Sequence, residues 1–151
     1  MKLGLYCGSF NPFHLGHLNI YEKACAIFDE VRICQGVNPD KKGDQDPVYD
    51  IPGVPKSMIE RYEGFTHNLV RKYVGERHDV TLIRGLRNGY DYDYEMNQIQ
   101  FMRDFLPELK VVLIPCDREF SHISSTAIRG LTKIAWFEAN KYLPKAASCA
   151  S

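Results

Sequence analysis

Residues 8–17, Gly-Ser-Phe-Asn-Pro-Phe-His-Leu-Gly-His, join an apolar run to a helical pattern. The preceding run, residues 3–7, is typical of a strand that is buried on both faces. A turn that starts at Gly8 leaves backbone N–H groups available, and the N-terminus of the following helix favours an anion. His14 and His17 are three residues apart, so both project from the same side of that helix. The stretch predicts a phosphate-handling site, and the alternative is a strand, turn and helix with two surface histidines.

Composition limits the possible classes of protein. The chain has 151 residues, 44% of them hydrophobic and 25% charged, which predicts one globular domain over residues 1–151. A formal net charge of zero argues against broad binding to nucleic acid. Five cysteines without a Cys-x-x-Cys pair predict free thiols in the cytoplasm. No apolar run is long enough to cross a membrane, so no membrane association is expected.

The periodicity of apolar residues predicts an α/β fold with a doubly wound parallel sheet. Strands are predicted at residues 2–7, 31–37, 78–83 and 110–115, and helices at 15–28, 56–73, 91–105, 123–129 and 134–142. The first strand, helix and strand form a βαβ unit, which builds parallel sheets. Residues 43–57 are rich in proline and have no period, which predicts a mobile loop or a lid. Residues 145–151 are expected to be a frayed tail.

Basic residues follow two of the predicted strands. Lys41 and Lys42 come after the second strand, and Arg84 and Arg87 end the third. Ligands of an open parallel sheet bind at the carboxyl ends of its strands, so these side chains are expected near the turn at Gly8. Two alternatives remain open: the lysines could lie in a solvated turn, and Arg84 could form a structural ion pair with Asp91 or Glu95.

The combination of residue types indicates a class of reaction. The sequence has no Ser/His/Asp nucleophile elbow, no Walker A loop and no His/Cys cluster at zinc spacing. Cations, neutral histidines and the hydroxyl groups of residues 124–126 suit a reaction in which negative charge develops on phosphate. These features favour phosphoryl or nucleotidyl transfer by positioning and electrostatics, without a covalent enzyme intermediate.

Several motifs carry a resemblance to a known family. The pattern Gly-x-Phe-x-Pro-x-His-x-Gly-His resembles the T/HxGH signature of the nucleotidylyltransferase superfamily. Arg-Gly-Leu-Arg at residues 84–87, followed by Asp-Tyr-Asp-Tyr-Glu at 91–95, is similar to a segment of the phosphopantetheine adenylyltransferases. Residues 38–42 and 120–125 are like that family's Asn/Ser-Pro-x-Lys-Lys and its late Ser-Phe-Ile-Ser-Ser. The resemblance extends from residue 3 to about residue 134 and implies a Rossmann-like, dinucleotide-binding fold.

The resemblance also implies roles for individual residues. The residues that correspond to the family's catalytic groups are His17, which would donate to the α-phosphate, Lys41, or Lys42 in its place, and Ser9. The residues implied in ATP binding are Ser9, Phe10, His14, His17, Arg87, Glu95, Ser124, Ser125, Thr126 and Arg129. The residues implied in acceptor binding are Ser9, Lys41, Arg84 and Leu69. No side chain of the protein is implied as a metal ligand.

The family implies ATP, Mg²⁺ and 4′-phosphopantetheine as reactants and cofactor, with dephospho-coenzyme A as product, and a homo-oligomer as the assembly. The sequence departs from the family after the paired lysines, where the family has a Phe-x-x-Glu-Glu-Arg helix and a further strand. Here a proline-rich loop is expected, followed by one helix over residues 56–73 or by two helices divided at Gly64. Residues 123–129, Ile-Ser-Ser-Thr-x-x-Arg, resemble instead the nicotinamide mononucleotide adenylyltransferases. That acceptor is the first alternative, and a nucleotide-binding module without turnover is the second. An RNA-binding fragment of a class I tRNA synthetase fits poorly, because the sequence lacks a Lys-Met-Ser-Lys-Ser-like loop.

Overall fold

Strands and helices alternate along the chain in the computed structural model, which describes residues 1–37, 47–48, 50–76 and 78–145. The strands are β1 (Lys2–Gly8), β2 (Glu30–Val37), β3 (Ile59–Glu63), β4 (Asp79–Leu86) and β5 (Val111–Pro115). The helices are α1 (Leu15–Cys25), α2 (Thr66–Gly75), α3 (Gly89–Phe105) and α4 (Ser125–Ala139). Short 3₁₀ helices lie at Lys56–Met58, Arg118–Phe120 and Asn140–Tyr142. None of the helices in these ranges is both long and apolar enough to cross a membrane.

The sheet is parallel throughout, and its strand order is β3-β2-β1-β4-β5. The chain moves outward from β1 through β2 to β3, then returns across the sheet to β4 and continues to β5. The order therefore reverses between β1 and β4, and the loops that leave these two strands separate there. This arrangement confirms the predicted doubly wound α/β fold and defines the crevice in which such sheets bind ligands.

Helices cover both faces of the sheet, and each face has its own apolar core. On one face, Ile20 and Ala24 of α1 pack with Ile33 and Ile83 of the sheet. On the other face, α2 and α3 pack against Leu5, among others. Because β1 is buried on both faces, residues 3–7 read as a continuous apolar run, as the sequence analysis expected.

The prediction of a helix over residues 56–73 is wrong for its first half. Residues 59–63 form the edge strand β3, which pairs with β2 from Ile33–Ile59 to Val37–Glu63. Gly64, at φ 85°, then breaks the chain before α2 begins. Apolar positions three and four residues apart suggested one helix, but a five-residue segment cannot establish a period, and pairing with β2 decided its structure. The further strand that the family resemblance implies is therefore present.

The described part of the proline-rich segment is packed. Ile51 and Val54 form an isolated antiparallel bridge, and both side chains are buried in the core next to α1. The expected lid movement of residues 43–57 stays a prediction.

At the other end of the chain, α4 is interrupted at Ala135, where φ is −151°. The predicted helix over residues 134–142 is the continuation of α4 beyond this break, together with the 3₁₀ helix that follows.

Gly4 on β1 tests the packing of the sheet. A Cβ added there would lie 2.6 Å from Ile83 Cδ1 and 2.8 Å from Phe28 Cδ2. We expect Gly4→Ala to lower the free energy of unfolding by about 1–3 kcal/mol, because the core has no room for a methyl group. The measurement is urea-induced unfolding, with Gly130→Ala in α4 as the control.

A Cβ on Gly130 would meet nothing within 4 Å. The control variant should therefore be unchanged or more stable by up to about 1 kcal/mol, since alanine favours a helix interior. Equal unfolding midpoints for the two variants would contradict the description of this core.

Candidate active site

A cavity of about 590 Å³ lies at the carboxyl ends of β1 and β4, where the strand order reverses. It brings together predicted residues from four parts of the chain: Ser9, Phe10, His14, His17, Arg84, Arg87, Glu95, Ser124, Ser125 and Thr126. Convergence of these residues follows from the topology, because β1 and β4 are neighbours in the sheet although 70 residues separate them along the chain. The predicted crevice is therefore present, with imidazoles, guanidinium groups and hydroxyls facing one space.

The two histidines form the first turn of α1 through reciprocal hydrogen bonds. His14 is the N-cap, and its Nδ1 accepts from the backbone N–H of Gly16 at 3.1 Å and of His17 at 3.4 Å. In return, the backbone N–H of His14 donates to Nδ1 of His17 at 3.1 Å. Each Nδ1 is therefore an acceptor, so in each neutral ring the proton is on Nε2. Both side chains line the cavity as hydrogen-bond donors whose tautomer is fixed by the helix cap.

Packing keeps both rings neutral. The imidazoles stack with their centroids 3.7 Å apart, and Phe10 and Phe13 lie with ring centroids 5.0 and 5.2 Å from that of His17. Burial, with a smaller effect from Arg87, lowers the pKa of His14 to about 4. Burial, the neighbouring His14 and then Arg87 hold the pKa of His17 well below its usual value. At neutral pH the pair can donate hydrogen bonds to phosphate without carrying charge of its own.

Gly16 explains the glycine of the motif. A Cβ at this position would lie 2.9 Å from Cε1 and 3.1 Å from Nδ1 of His14. Any larger residue would displace the imidazole that caps α1. The spacing His-x-Gly-His therefore meets two requirements: two imidazoles on one side of a helix start, and an open position between them for the capping ring.

Arg84 is held in place by two oxygen acceptors. Its Nε donates to Glu95 at 2.6 Å, and its Nη1 donates to the carbonyl of Cys7 at 2.8 Å. Burial opposes its charge, but the Glu95 carboxylate beside it raises the pKa of the guanidinium, which stays charged. The sequence left open whether Arg84 would face a ligand site or form an ion pair with Asp91 or Glu95. In the structure Arg84 pairs with Glu95, and its guanidinium also borders the cavity.

Arg87 has a similar arrangement with Asp91. Its Nε and Nη2 donate to the two carboxylate oxygens at 2.9 and 3.0 Å, and its backbone N–H donates to the same carboxylate. Both cations at the end of β4 are therefore fixed by acids from the first turns of α3. Neither side chain needs to be ordered when an anion enters, which lowers the entropic cost of binding.

The start of α4 also lines the cavity. Ser124 is its N-cap, and the Ser124 hydroxyl accepts from the backbone N–H of Ala127 at 3.1 Å. Ser125 Oγ donates to the carbonyl of Pro12 at 2.9 Å. The Ser125 hydroxyl thus ties α4 to the loop after β1. The backbone N–H groups of Ser125 and Thr126, at the start of the helix, have no carbonyl partner within the helix. Backbone N–H groups at the start of a helix can bind an anion.

Some predicted residues have other positions. Leu69 is buried in the core and is not among the residues that line the cavity, so the structure does not place it against an acceptor. Phe10 borders the cavity, but its ring packs beneath His17. Arg129 is not among the residues that line the cavity. It donates to the carbonyl of Asn11 and to Thr126 Oγ1, so its observed contacts hold the loop after β1. The predictions for Lys41 and Lys42 lie outside the described residues.

Gln35 is a polar residue at the site that the sequence analysis missed. It is fully buried on β2 beside Gly8, and its Nε2 donates to the carbonyl of Ser9 at 3.0 Å. Its Oε1 accepts from the backbone N–H of Val48 at 2.9 Å. The amide therefore connects the loop after β1 to the segment that follows β2. A single glutamine inside a strand has no sequence signature, and only its complete burial reveals this role.

Comparison with known proteins agrees with the geometry. A model of the cytidylyltransferase-like family matches residues 5–131. The chain belongs to this family. A phosphopantetheine adenylyltransferase of Neisseria meningitidis serogroup B is 33% identical over 96% of this chain and 89% of its own. The corresponding enzyme of Mycoplasma capricolum is also 33% identical, over 85% and 95%, and that of Cutibacterium acnes is 34% identical, over 83% and 81%.

Solved structures share the fold of this cytidylyltransferase-like chain. A Vibrio parahaemolyticus protein described as a nicotinate-nucleotide adenylyltransferase matches with a TM-score of 0.55 at 16% identity, covering 87% of this chain and 81% of its own. A bifunctional NMN adenylyltransferase/ADP ribose pyrophosphatase from Francisella tularensis matches with a TM-score of 0.54 at 14% identity, covering 89% and 42%. At these identities the likeness supports the fold alone.

The stacked histidines predict a particular dependence of stability on pH. In the unfolded chain a histidine binds its proton near pH 6.5, whereas folded His14 does so only near pH 4. The unfolded state therefore binds more protons between these values, and stability should fall as the pH is lowered from 6.5 toward 4. The variant His14→Asn keeps an N-cap acceptor but has no imidazole at this position. When the pH is lowered from 6.5 to 5, we expect its free energy of unfolding to decrease by about 2 kcal/mol less than that of the unsubstituted protein.

The measurement is urea unfolding of both proteins at several pH values. Carboxylates are common to the two proteins, so their titration cancels in the difference. Parallel stability profiles would contradict the assignment of a buried, neutral His14.

Proposed function

We infer that this chain is a phosphopantetheine adenylyltransferase, which transfers AMP from ATP to 4′-phosphopantetheine and releases pyrophosphate. The product is dephospho-coenzyme A. The observation that carries the reaction type is the stacked, neutral His14–His17 pair beside two preorganised arginines at the strand-order reversal. The acceptor is supported by relatives that match almost the whole chain.

The chemistry is an in-line displacement at the α-phosphate. An oxygen of the acceptor phosphate forms the new bond to the α-phosphorus as the bond to the pyrophosphate oxygen breaks, and the pyrophosphate takes the electron pair. His17 donates from Nε2 to a nonbridging α-phosphate oxygen, where negative charge increases. Since the donor is already neutral, correctly protonated and fixed by the helix cap, it needs no reorganisation at the moment of reaction.

The remaining groups bind and orient the two phosphates. His14 donates to the ATP phosphates, and the first turn of α4 receives the β- and γ-phosphates. Arg84 meets the acceptor phosphate by exchanging part of its pairing with Glu95, and Ser9 lies between the two substrates. Lys41 is proposed to neutralise the transferring group, on the basis of its position in the family's motif.

Magnesium is proposed to enter with ATP. Among the described residues there is no group of three or more His, Cys, Asp or Glu side chains that could hold a metal ion. The two cavity carboxylates, Asp91 and Glu95, are each paired with an arginine. This donor set fits an ion carried by the nucleotide's own phosphates. Bound there, Mg²⁺ would neutralise charge on the leaving pyrophosphate.

Nicotinamide mononucleotide is the weaker candidate for the acceptor. The resemblance to enzymes that use it rested on residues 123–129, Ile-Ser-Ser-Thr-x-x-Arg. In the structure, Ser125 and Arg129 of this segment bind backbone carbonyls of the loop after β1. The segment therefore has a structural reason that is independent of the acceptor.

Four further properties are proposed with the function. Four described cysteines, Cys7, Cys25, Cys34 and Cys116, are free thiols, which supports a reducing, cytoplasmic location. The zero net charge supports a protein that does not bind nucleic acid. One domain over residues 1–151 is proposed from the length and composition of the chain, and assembly into a homo-oligomer is proposed from the family resemblance.

The deciding experiment measures pyrophosphate release from ATP and Mg²⁺ with 4′-phosphopantetheine and nicotinamide mononucleotide in parallel. We expect turnover with the first acceptor alone, and dephospho-coenzyme A as the product identified by mass. Turnover with the second alone would replace the acceptor. No turnover with either, while ATP still binds, would favour a nucleotide-binding module.

A substitution at His17 tests the mechanism. His17→Asn keeps a side-chain acceptor for the N–H of His14 but removes the Nε2 donor. We expect kcat to fall by about 10²- to 10³-fold with little change in ATP binding, because the interaction strengthens in the transition state. His78→Asn, outside the cavity, is the matched control and should retain full activity. Near-complete turnover by His17→Asn would refute this role.

A further inference from the structure

The cavity extends beyond its phosphate-binding side. Besides the ends of β1 and β4, it is lined by Gly36 and Val37 at the end of β2, Tyr62 on β3 and Thr66 in the first turn of α2. Neighbouring strands of a sheet are about 4.8 Å apart, so β3 lies roughly 10 Å from β1 across the sheet. This side of the cavity is therefore available to a part of a substrate that is distant from the reacting phosphates.

A pair of hydroxyl groups is the main polar feature of this side. Tyr62 Oη and Thr66 Oγ1 are 2.8 Å apart, and both residues are half-buried. Burial raises the pKa of the Tyr62 phenol, so the group is neutral at physiological pH. One hydrogen bond between two hydroxyls uses one of their two hydrogens. The pair can therefore donate the other hydrogen and also accept a hydrogen bond.

Gly36 provides the space for this pair. A Cβ at Gly36 would lie 3.2 Å from Tyr62 Oη and 3.3 Å from Tyr62 Cζ, which is closer than ordinary contacts. The strands are in register here, with Gly36 opposite Tyr62. A phenol and a side chain at position 36 would compete for the same volume. The missing side chain on β2 lets the phenol reach the cavity beside Thr66.

We propose that Tyr62 and Thr66 are specificity-determining residues that bind an amide group in the arm of the acceptor. An amide offers one N–H donor and one C=O acceptor, which matches a neutral hydroxyl pair able to accept and to donate. The inference rests on the proposed function, because 4′-phosphopantetheine carries such amides in a flexible chain attached to its phosphate. Phosphate itself is bound at the other side of the cavity, by arginines and imidazoles.

The test compares Tyr62→Phe, Thr66→Val and the double variant by steady-state kinetics with ATP and 4′-phosphopantetheine. We expect the KM for 4′-phosphopantetheine to rise about 3- to 10-fold in each single variant, as for the loss of a hydrogen bond between uncharged groups. The kcat and the KM for ATP should stay within twofold. The double variant should show little further loss, because the two hydroxyls act as a unit.

Tyr92→Phe is the matched control, since Tyr92 on α3 loses the same hydroxyl but does not line the cavity. Gly36→Ala provides a second test that leaves both hydroxyls in the protein, and it should raise the same KM by crowding Tyr62. An unchanged KM for 4′-phosphopantetheine in all the variants would overturn the proposal, as would an equal rise in the KM for ATP.

Failure of the proposed function would look different. If the unsubstituted protein turns over nicotinamide mononucleotide and not 4′-phosphopantetheine, the acceptor assignment and the amide site are both wrong. If the unsubstituted protein uses 4′-phosphopantetheine and Tyr62→Phe retains its KM, only the amide site is wrong.

Discussion

Reciprocal hydrogen bonds between His14 and His17 are the interaction on which the rest of the site depends. The same bonds begin α1 and set the tautomer of both imidazoles. Stability and preparation for chemistry thus have one cause, because a ring that turned away to meet a ligand through Nδ1 would leave the helix start uncapped. The surroundings of the two imidazoles disfavour their protonation. Removing polar rings from water has a desolvation cost, and packing against Phe10 and Phe13 offsets this cost.

The strand order determines what these donors face. Because β1 and β4 are neighbours, Arg84 can donate to the carbonyl of Cys7 and so connect the two strands at the edge of the cavity. A half-buried ion pair such as Arg84–Glu95 adds little net stability, since desolvation cancels much of the attraction. The pair fixes the position of the guanidinium, and a cation that is already fixed and partly shielded from water can interact strongly with an anion.

How far the sequence could predict this molecule depended on the kind of signal at each position. The glycine and histidines of residues 8–17 need one backbone geometry, so they predicted the central strand, turn and helix correctly. Residues 59–63 carry no such constraint, and their structure as β3 depends on pairing with β2, more than twenty residues away. The burial of Gln35 and its hydrogen bond to the carbonyl of Ser9 depend on contacts between strands that no local pattern encodes.

The segments that could be predicted are those that serve the transfer reaction, and the segments that could not be predicted are those that recognise the acceptor. Transfer of a nucleotidyl group needs the same charges in the same places whatever the acceptor, so its residues form recognisable motifs around β1, β4 and α4. Recognition of the acceptor's arm needs only a few weak contacts, which many residue types can provide. Residues on β2 and β3 provide this recognition, at the position where Tyr62 packs against Gly36 of the neighbouring strand. That contact exists only in the folded chain. Substrate preference within one shared chemistry can therefore change through an edge strand while the motifs stay the same.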